Sequence, residues 1–204
     1  MLVLVGCANG EGPRFENEFP TSQLEGYGIE EHRFFDVTME EALALREVED
    51  FDGILYFGFP QCPWCQAAVP ILNDAALEAG IDVFYVSRDP EIREIGDWSE
   101  WDLEMANWLD AQLEMRWIYE EDEDGESVPV RPNIFVPHVI HLRSGEVIDH
   151  HRGTLDGHER LEDGTLPDLE PAEVAALFTI YSRIFSGVQT DGECPLTQET
   201  ESCS

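Results

Sequence analysis

The stretch Gly58-Phe59-Pro60-Gln61-Cys62-Pro63-Trp64-Cys65-Gln66 joins two segments of different periodicity. Before it, the apolar run Ile54-Leu55-Tyr56-Phe57 is typical of a buried strand. After it, apolar residues recur at helical spacing: Ala67, Ala68, Val69, Leu72, Ala75 and Ala76. Two cysteines separated by two residues therefore lie at a strand-to-helix junction. The unpaired amides and the dipole of a helix N-terminus favour a thiolate, so this arrangement predicts a redox-active dithiol.

The composition describes an acidic protein with a real core. Of its 204 residues 43% are hydrophobic, which is enough for one domain without stabilising disulfides. There are 44 Asp and Glu against 11 basic residues, all of them Arg, for a net charge of −33. Such a surface repels nucleic acid, so we expect no nucleic-acid partner. It favours solubility, and a basic protein partner is the alternative.

The N-terminal residues predict attachment to a membrane without a membrane-spanning helix, because no run of 18 apolar residues exists. Leu4-Val5-Gly6-Cys7 resembles the lipobox of lipoproteins, whose cysteine is lipidated after cleavage of the signal. No basic region precedes it, so residues 1–7 are interpreted as a partial signal. Residues 8–30, rich in Gly, Pro and Glu, are expected to form a flexible tether. The alternative is an ordinary apolar N-terminus with an ordinary Cys7.

Residues 31–186 are predicted to form one domain. The expected elements are a strand at 31–36, a helix capped by Thr38, the strand 54–59, the dithiol helix ending at Gly80, a strand at 81–86, a hairpin at 136–150 turning at Gly145, and a helix at 170–185. Strand, helix and strand in succession around the dithiol predict a parallel, right-handed βαβ unit.

A segment at about 88–127 interrupts this pattern and is interpreted as a helical insertion. It carries a stripe of large apolar residues at helical spacing after a possible N-cap at Ser99: Trp98, Trp101, Met105, Trp108 and Leu109. We expect the stripe to pack on the domain, and a docking groove for partners is the alternative. The acidic run 120–126 lacks the spacing of a calcium loop and predicts a solvated loop.

The motif Cys62-Pro63-Trp64-Cys65, with Pro70 and with Val136-Pro137 before the hairpin, resembles the thioredoxin superfamily. The resemblance implies an α/β thioredoxin-like fold, a central mixed sheet flanked by helices. It also implies a helix kinked at Pro70 and a cis Pro137 against the dithiol. Thioredoxins carry a buried Asp and a Trp where this chain has Tyr56 and Gln61. That departure, with the lipobox, points to extracytoplasmic thioredoxin-like lipoproteins and bacteriocin-transport accessory proteins.

The resemblance implies a thiol–disulfide oxidoreductase. Cys62, exposed at the helix start, would attack client disulfides and Cys65 would resolve the mixed disulfide. The client would be contacted by Pro63, Trp64, Val136 and Pro137. Because the negative field opposes thiolate formation, we expect a reductase or isomerase. No cofactor other than the dithiol is expected, since no flavin or nicotinamide fingerprint is present, and electrons would come from a membrane or secreted thiol partner.

The cysteines allow interpretations other than a redox-active dithiol. A metal site joining them to His138, His141, His150 or His151 is not expected, because these histidines diverge along their strands. An inert structural disulfide, or a non-enzymatic binding module that docks partners through the Trp-rich helix, are the alternatives to an enzyme. In the polar tail 187–204, Cys194 and Cys203 are expected to form a structural disulfide, and a redox relay is the alternative.

Overall fold

The fold is a central sheet covered by helices on both faces. The computed structural model describes residues 4–5, 14–15, 22–88, 99–122 and 125–189. Its strands are β1 Leu4–Val5, β2 Arg14–Phe15, β3 Phe34–Val37, β4 Asp52–Gly58, β5 Val83–Ser87, β6 Trp117–Glu121, β7 Ser127–Pro132, β8 His138–Arg143 and β9 Glu146–Arg152. Its helices are α1 Met39–Leu45, α2 Pro63–Ala79, α3 Glu100–Leu113 and α4 Pro171–Ser186, and a 3-10 helix spans Ser22–Tyr27.

The sheet has five strands in the order β3-β5-β4-β8-β9. Strands β3, β5 and β4 are parallel, whereas β8 and β9 run antiparallel to their neighbours. The parallel pairing of β4 with β5 across α2 confirms the predicted βαβ unit. The α/β class, with a mixed sheet flanked by helices, is confirmed.

Local sequence signals set the element ends. The Thr38 hydroxyl accepts from the Glu41 amide at 3.1 Å and the Glu41 carboxylate accepts from the Thr38 amide at 2.8 Å, a capping box that starts α1. Gly80 ends α2 with a left-handed φ of 68°. At the β8–β9 turn, Ser144 and Gly145 both have positive φ, 47° and 80°, as a two-residue hairpin turn requires.

The two faces of the sheet are separate apolar clusters. One lies under α2 and α4 and includes Ile54, Tyr56, Leu72, Val83, Tyr85 and Tyr181. The other lies under α1 and α3 and includes Leu55, Phe57, Val86, Met105, Leu109 and Ile140. Because successive strand residues point to opposite faces, each strand contributes to both clusters.

Several segments differ from the sequence-based expectation, and one is the strand Arg14–Phe15, which lies in the predicted flexible tether and pairs with Leu4–Val5. Residues 22–27, placed in the tether, form the 3-10 helix, because Leu24 is buried in the core at 1% exposure. In the segment interpreted as an insertion, α3 covers one sheet face with Met105 and Leu109 fully buried, so this helix is an integral layer. The expected Ser99 cap is present, and Trp101 is left at 36% exposure.

The β6–β7 hairpin was not predicted. Glu120 and Glu121 of the acidic run, which was expected to be a loop, instead end β6, and the Asp122 amide donates to the Glu126 carbonyl at 3.0 Å. The sequence did not predict β7 because this strand contains Pro129 and Pro132, and proline is uncommon within strands. Among the helices that the structure describes, none is long and apolar enough to cross a membrane.

Candidate active site

The two cysteines of the motif lie at the first turn of α2. Cys62 is the N-cap residue, with an extended backbone, and Pro63 takes the first helical position. The Cys65 amide donates to the Cys62 Sγ at 3.4 Å, and the Gln66 amide donates to the Cys62 carbonyl at 2.9 Å. The sulfur thus occupies the place of an N-cap oxygen, where helix amides and the dipole stabilise negative charge. Both cysteines are thiols rather than a disulfide in this structure.

The dithiol is buried, contrary to the expectation that Cys62 would be exposed. Cys62 is 4% exposed and Cys65 is fully buried. Together with Phe59 the two cysteines form a small apolar cluster, against which Tyr27, Trp64 and Val136 pack. Sequence reasoning missed this cover because Tyr27 comes from the segment assigned to the tether. A client must therefore displace or slide past apolar side chains to reach Cys62.

Val136 and Pro137 lie beside the dithiol, although 70 residues of sequence separate them from it. The bond between them is cis, as the resemblance implied. Val136 packs on the dithiol cluster, Pro137 is buried, and the Pro137 carbonyl accepts from the Gly153 amide at 2.8 Å. The structure thus brings together Cys62, Cys65, Trp64 and Val136.

Trp64 is half-buried and is held by the loop between β9 and α4. Its Nε1 donates to the His158 carbonyl at 3.2 Å, and the Arg160 guanidinium lies 4.9 Å from the centre of a Trp64 ring. His158 is fixed in turn, with Nδ1 2.6 Å from the Thr154 hydroxyl and Nε2 2.8 Å from the Pro167 carbonyl. Part of the Trp64 surface expected to meet clients is therefore covered. No sequence signal pointed to His158 or Arg160.

Tyrosine hydroxyls collect around Cys65. The hydroxyls of Tyr27 and Tyr85 are 3.5 Å apart, and Tyr56 and Tyr181 are fully buried. Burial raises the pKa of the Cys65 thiol, the neighbouring Cys62 thiol raises it further, and the Tyr56 hydroxyl lowers it. Burial also raises the pKa of Tyr56 and of Tyr181, so both phenols stay protonated. In the sequence, Tyr56 was predicted to lie in a buried strand and marked a departure from thioredoxins, but no signal placed its hydroxyl beside Cys65.

His138 and His141 lie on opposite faces of the sheet, as strand alternation predicted. His138 Nε2 is 3.2 Å from His150 Nδ1, on the α1/α3 face, whereas His141 Nε2 is 2.6 Å from an Asp52 carboxylate oxygen. Burial lowers the pKa of His138 and its neighbour His150 lowers it further, so the neutral form of His138 is favoured. Within the described ranges no three His, Cys, Asp or Glu side chains converge as metal ligands.

Four residues singled out in the sequence lie outside the described residues. They are Cys7, Trp98, Cys194 and Cys203. The lipidation site and the tail disulfide therefore remain predictions from the sequence.

Comparison with known proteins bears on the same region. Residues 54–101, which start in β4 and contain the dithiol, match the family model described as Glutaredoxin. This part of the chain is thus similar to the Glutaredoxin family model. A thioredoxin from Aeropyrum pernix is 18% identical over 57% of this chain and 73% of its own, with a TM-score of 0.35. A thioredoxin from Malassezia sympodialis is 13% identical over 76% of this chain and 95% of its own, with a TM-score of 0.37. No curated protein matched the sequence.

The matched segment contains the dithiol, so its similarity to the Glutaredoxin model suggests thiol–disulfide chemistry in general. In this chain the arrangement that can perform it is a sulfur at a helix N-cap, a second thiol one turn further along, and an apolar wall that contains Val136.

Proposed function

We propose that this chain is a protein thiol–disulfide oxidoreductase in which Cys62 is the nucleophile and Cys65 the resolving thiol. The observation that carries the proposal is the Cys62 sulfur at the N-cap of α2, accepting the Cys65 amide at 3.4 Å. An inert cysteine pair needs no such placement, whereas a nucleophile needs a stabilised thiolate. The Cys62 sulfur receives that stabilisation from the helix N-terminus, and Cys65 is fully buried one turn further along.

The reaction proceeds by two exchanges. The Cys62 thiolate attacks one sulfur of a client disulfide, forms a mixed disulfide, and expels the other client sulfur as a thiolate. Cys65 then loses its proton and attacks the Cys62 sulfur, which closes the Cys62–Cys65 disulfide and releases the second client thiolate. Both client thiolates are protonated from solvent, and the client gains the two electrons that the dithiol loses. No cofactor other than the dithiol takes part.

The client is held by the wall around Cys62. Trp64 and Val136 pack against the dithiol cluster, and their sequence neighbours Pro63 and Pro137 are proposed to complete the surface that contacts the client. Because Cys62 is only 4% exposed, we propose that clients are flexible or partly unfolded segments that can enter the apolar cover.

Insulin reduction with dithiothreitol as electron donor tests the proposal. We expect wild-type protein to accelerate insulin precipitation and Cys62→Ser to leave only the uncatalysed rate. Pre-reduced Cys65→Ser incubated with insulin in the absence of dithiothreitol should accumulate a mixed disulfide, visible by mass spectrometry and removed when reductant is added. Wild-type activity equal to that of Cys62→Ser would refute the enzyme and favour a binding module, which the exposed Trp101 and Leu103 on α3 would then serve.

We propose that electrons flow from the dithiol to clients, as in a reductase or isomerase. Two features support this direction: the net charge of −33 and the burial that raises the pKa of Cys65. Both disfavour the thiolate and so favour oxidation of the pair. A redox titration against glutathione tests the direction. A potential near about −120 mV, typical of strong oxidants, would reverse it.

We also propose that the protein acts outside the cytoplasm, anchored through lipid on Cys7 and supplied by a membrane or secreted thiol donor. The support is the sequence Leu4-Val5-Gly6-Cys7. In cells that express the native gene, the protein should sediment with membranes, and Cys7→Ser should release it. A membrane fraction unchanged by Cys7→Ser would refute lipidation.

In the same compartment, we propose that Cys194 and Cys203 form a structural disulfide. The support is their spacing in a polar tail within a chain that we place in an oxidising environment. Truncation after Gly187 should leave insulin reduction unchanged. Loss of activity on truncation would assign this pair to the redox cycle instead.

A further inference from the structure

Beside the resolving thiol lies a hydroxyl that the exchange described above does not use. Tyr56 is in β4, two residues before the strand ends, and its side chain is fully buried. Its ring is fixed between Phe34, with centroids 6.2 Å apart, and Tyr85, at 5.3 Å. Because protein interiors are close-packed, a ring held on both sides cannot turn its hydroxyl elsewhere.

The Tyr56 hydroxyl points along β4 toward the dithiol loop. A Cβ placed on Gly58 would lie 2.1 Å from this oxygen, so the absence of a side chain at Gly58 is what leaves room for it. The hydroxyl therefore occupies the end of the strand from which the chain passes to Cys62.

The polar groups that act on this hydroxyl are the thiol of Cys65 and the hydroxyls of Tyr27 and Tyr85. Among the described residues the Tyr56 hydroxyl has no hydrogen-bond partner of normal geometry. The Tyr56 hydroxyl nevertheless interacts with Cys65. Burial raises the pKa of the Cys65 thiol, and the Tyr56 hydroxyl opposes that rise. A buried hydroxyl without a partner destabilises the fold, so its presence calls for an explanation.

We propose that Tyr56 is the positioning residue of the resolving step, with its hydroxyl donating a hydrogen bond to the Cys65 sulfur as that sulfur becomes a thiolate. The inference rests on the proposed function, because it assigns a role only within the exchange between Cys62 and Cys65. A hydrogen bond to a charged acceptor is stronger than one to a neutral thiol, so the contact tightens when charge appears.

The resolving step balances without Tyr56 acting as a base. Cys65 gives up its proton to solvent and its sulfur attacks Cys62 of the mixed disulfide. The Cys62–client bond breaks as the Cys62–Cys65 bond forms, and the client leaves as a thiolate that takes up a proton. Burial, then the neighbouring Cys65, raises the pKa of Tyr56, so the phenol keeps its proton and acts as a donor throughout.

Stopped-flow reaction of the reduced protein with 4,4′-dithiodipyridine separates the two exchanges. The reagent is uncharged, so the acidic surface does not repel it. Attack by Cys62 releases one thiopyridone and resolution by Cys65 releases a second. In Tyr56→Phe the first phase should keep its wild-type rate, while the second should slow by about tenfold, the loss of one hydrogen bond to a charged group. The rise of the second-phase rate with pH should also move to higher pH.

Tyr181→Phe is the matched control. Tyr181 is equally buried, and its hydroxyl is likewise without a partner among the described residues. Cys65 acts on the Tyr181 hydroxyl through its charge and not through a hydrogen bond. Both phases should therefore keep their wild-type rates.

The outcomes distinguish the two proposals. An unchanged second phase in Tyr56→Phe, or equal slowing in Tyr181→Phe, overturns the role of Tyr56 and leaves the oxidoreductase standing. Wild-type protein without a first phase refutes both. Tyr56→Phe should unfold at the wild-type urea concentration or above it, since the lost hydroxyl had no partner. A variant that fails to fold would show a structural role and overturn the inference.

Discussion

The two faces of the central sheet use the same strands for different purposes. Under α2 and α4 the core contains tyrosine hydroxyls, and α2 carries the dithiol. Under α1 and α3 the core cluster consists of apolar side chains without hydroxyls, among them Phe57, Met105 and Leu109. The neighbours Tyr56 and Phe57 show the division most clearly, because one residue along a strand reverses the direction of the side chain. Reactive groups lie on one face, and the other face stabilises the domain.

The α1/α3 side also contains buried charge, but that charge is paired. Arg88, at the end of β5, forms an ion pair with Asp102 of α3, with side chains 9% and 7% exposed. Asp102 also accepts from the Ser99 hydroxyl at 2.6 Å in the capping box of α3. On the dithiol side, by contrast, the Tyr56 and Tyr181 hydroxyls have no partner among the described residues. The buried charges Arg88 and Asp102 are thus paired, whereas these two buried hydroxyls on the dithiol side lack a hydrogen bond of normal geometry.

Removal of the buried carboxylate should give the largest loss. Asp102→Ala leaves the Arg88 charge without this carboxylate and removes the cap of α3, so the free energy of unfolding should fall by about 3–5 kcal/mol in urea titrations. The 4,4′-dithiodipyridine phases of the remaining folded protein should not change. The double variant Arg88→Met, Asp102→Leu is the control and should lose much less. Equal losses would contradict the ion-pair explanation.

Two buried leucines, one on each face of the sheet, test whether only the α2/α4 face affects the dithiol. Leu72 on α2 and Leu109 on α3 are both fully buried. Each change to Ala should lower the free energy of unfolding by about 2–5 kcal/mol, because it removes transfer energy and leaves a cavity. Only Leu72→Ala should alter the exchange phases, since α2 positions Cys62 and Cys65. Altered phases in Leu109→Ala would show that the faces are coupled.

The uncharged histidine on the α1/α3 face predicts a pH effect of smaller size. Burial lowers the pKa of His138 in the folded state, so the unfolded chain binds the proton more readily. The stability that neutral His138 contributes is complete above about pH 6.5 and is lost as the pH falls. The loss is at most about 1.4 kcal/mol per pH unit.

His138→Gln provides the comparison for this effect. Urea titrations from pH 7.5 down to 5 should show a smaller decline for the variant than for wild type, because the amide does not titrate in this range. Since the acidic surface affects both proteins, the difference between them isolates His138. Parallel curves would mean that His138 does not titrate differently on folding.

Local sequence signals were enough for the scaffold around the dithiol. The Thr38 and Ser99 caps, the Gly80 terminus, the Gly145 turn and the β4–α2–β5 unit depend on residues close together in the chain, and the structure confirms each. The placement of Cys62 at a helix N-terminus is local in the same sense, since it needs only a strand, a loop and a helix in succession. The divergence of His138 and His141 follows from strand alternation alone.

Only the tertiary structure decided what surrounds that dithiol. These contacts join side chains of separate elements: Tyr27 covers Cys62, His158 and Arg160 support Trp64, and Tyr56 of β4 approaches Cys65 of α2. Neither periodicity nor capping signals specify such contacts, because both describe one element at a time. The sequence alone determined where the reactive sulfurs lie, and the packing of separate elements determined that they are buried and which hydroxyl lies beside them.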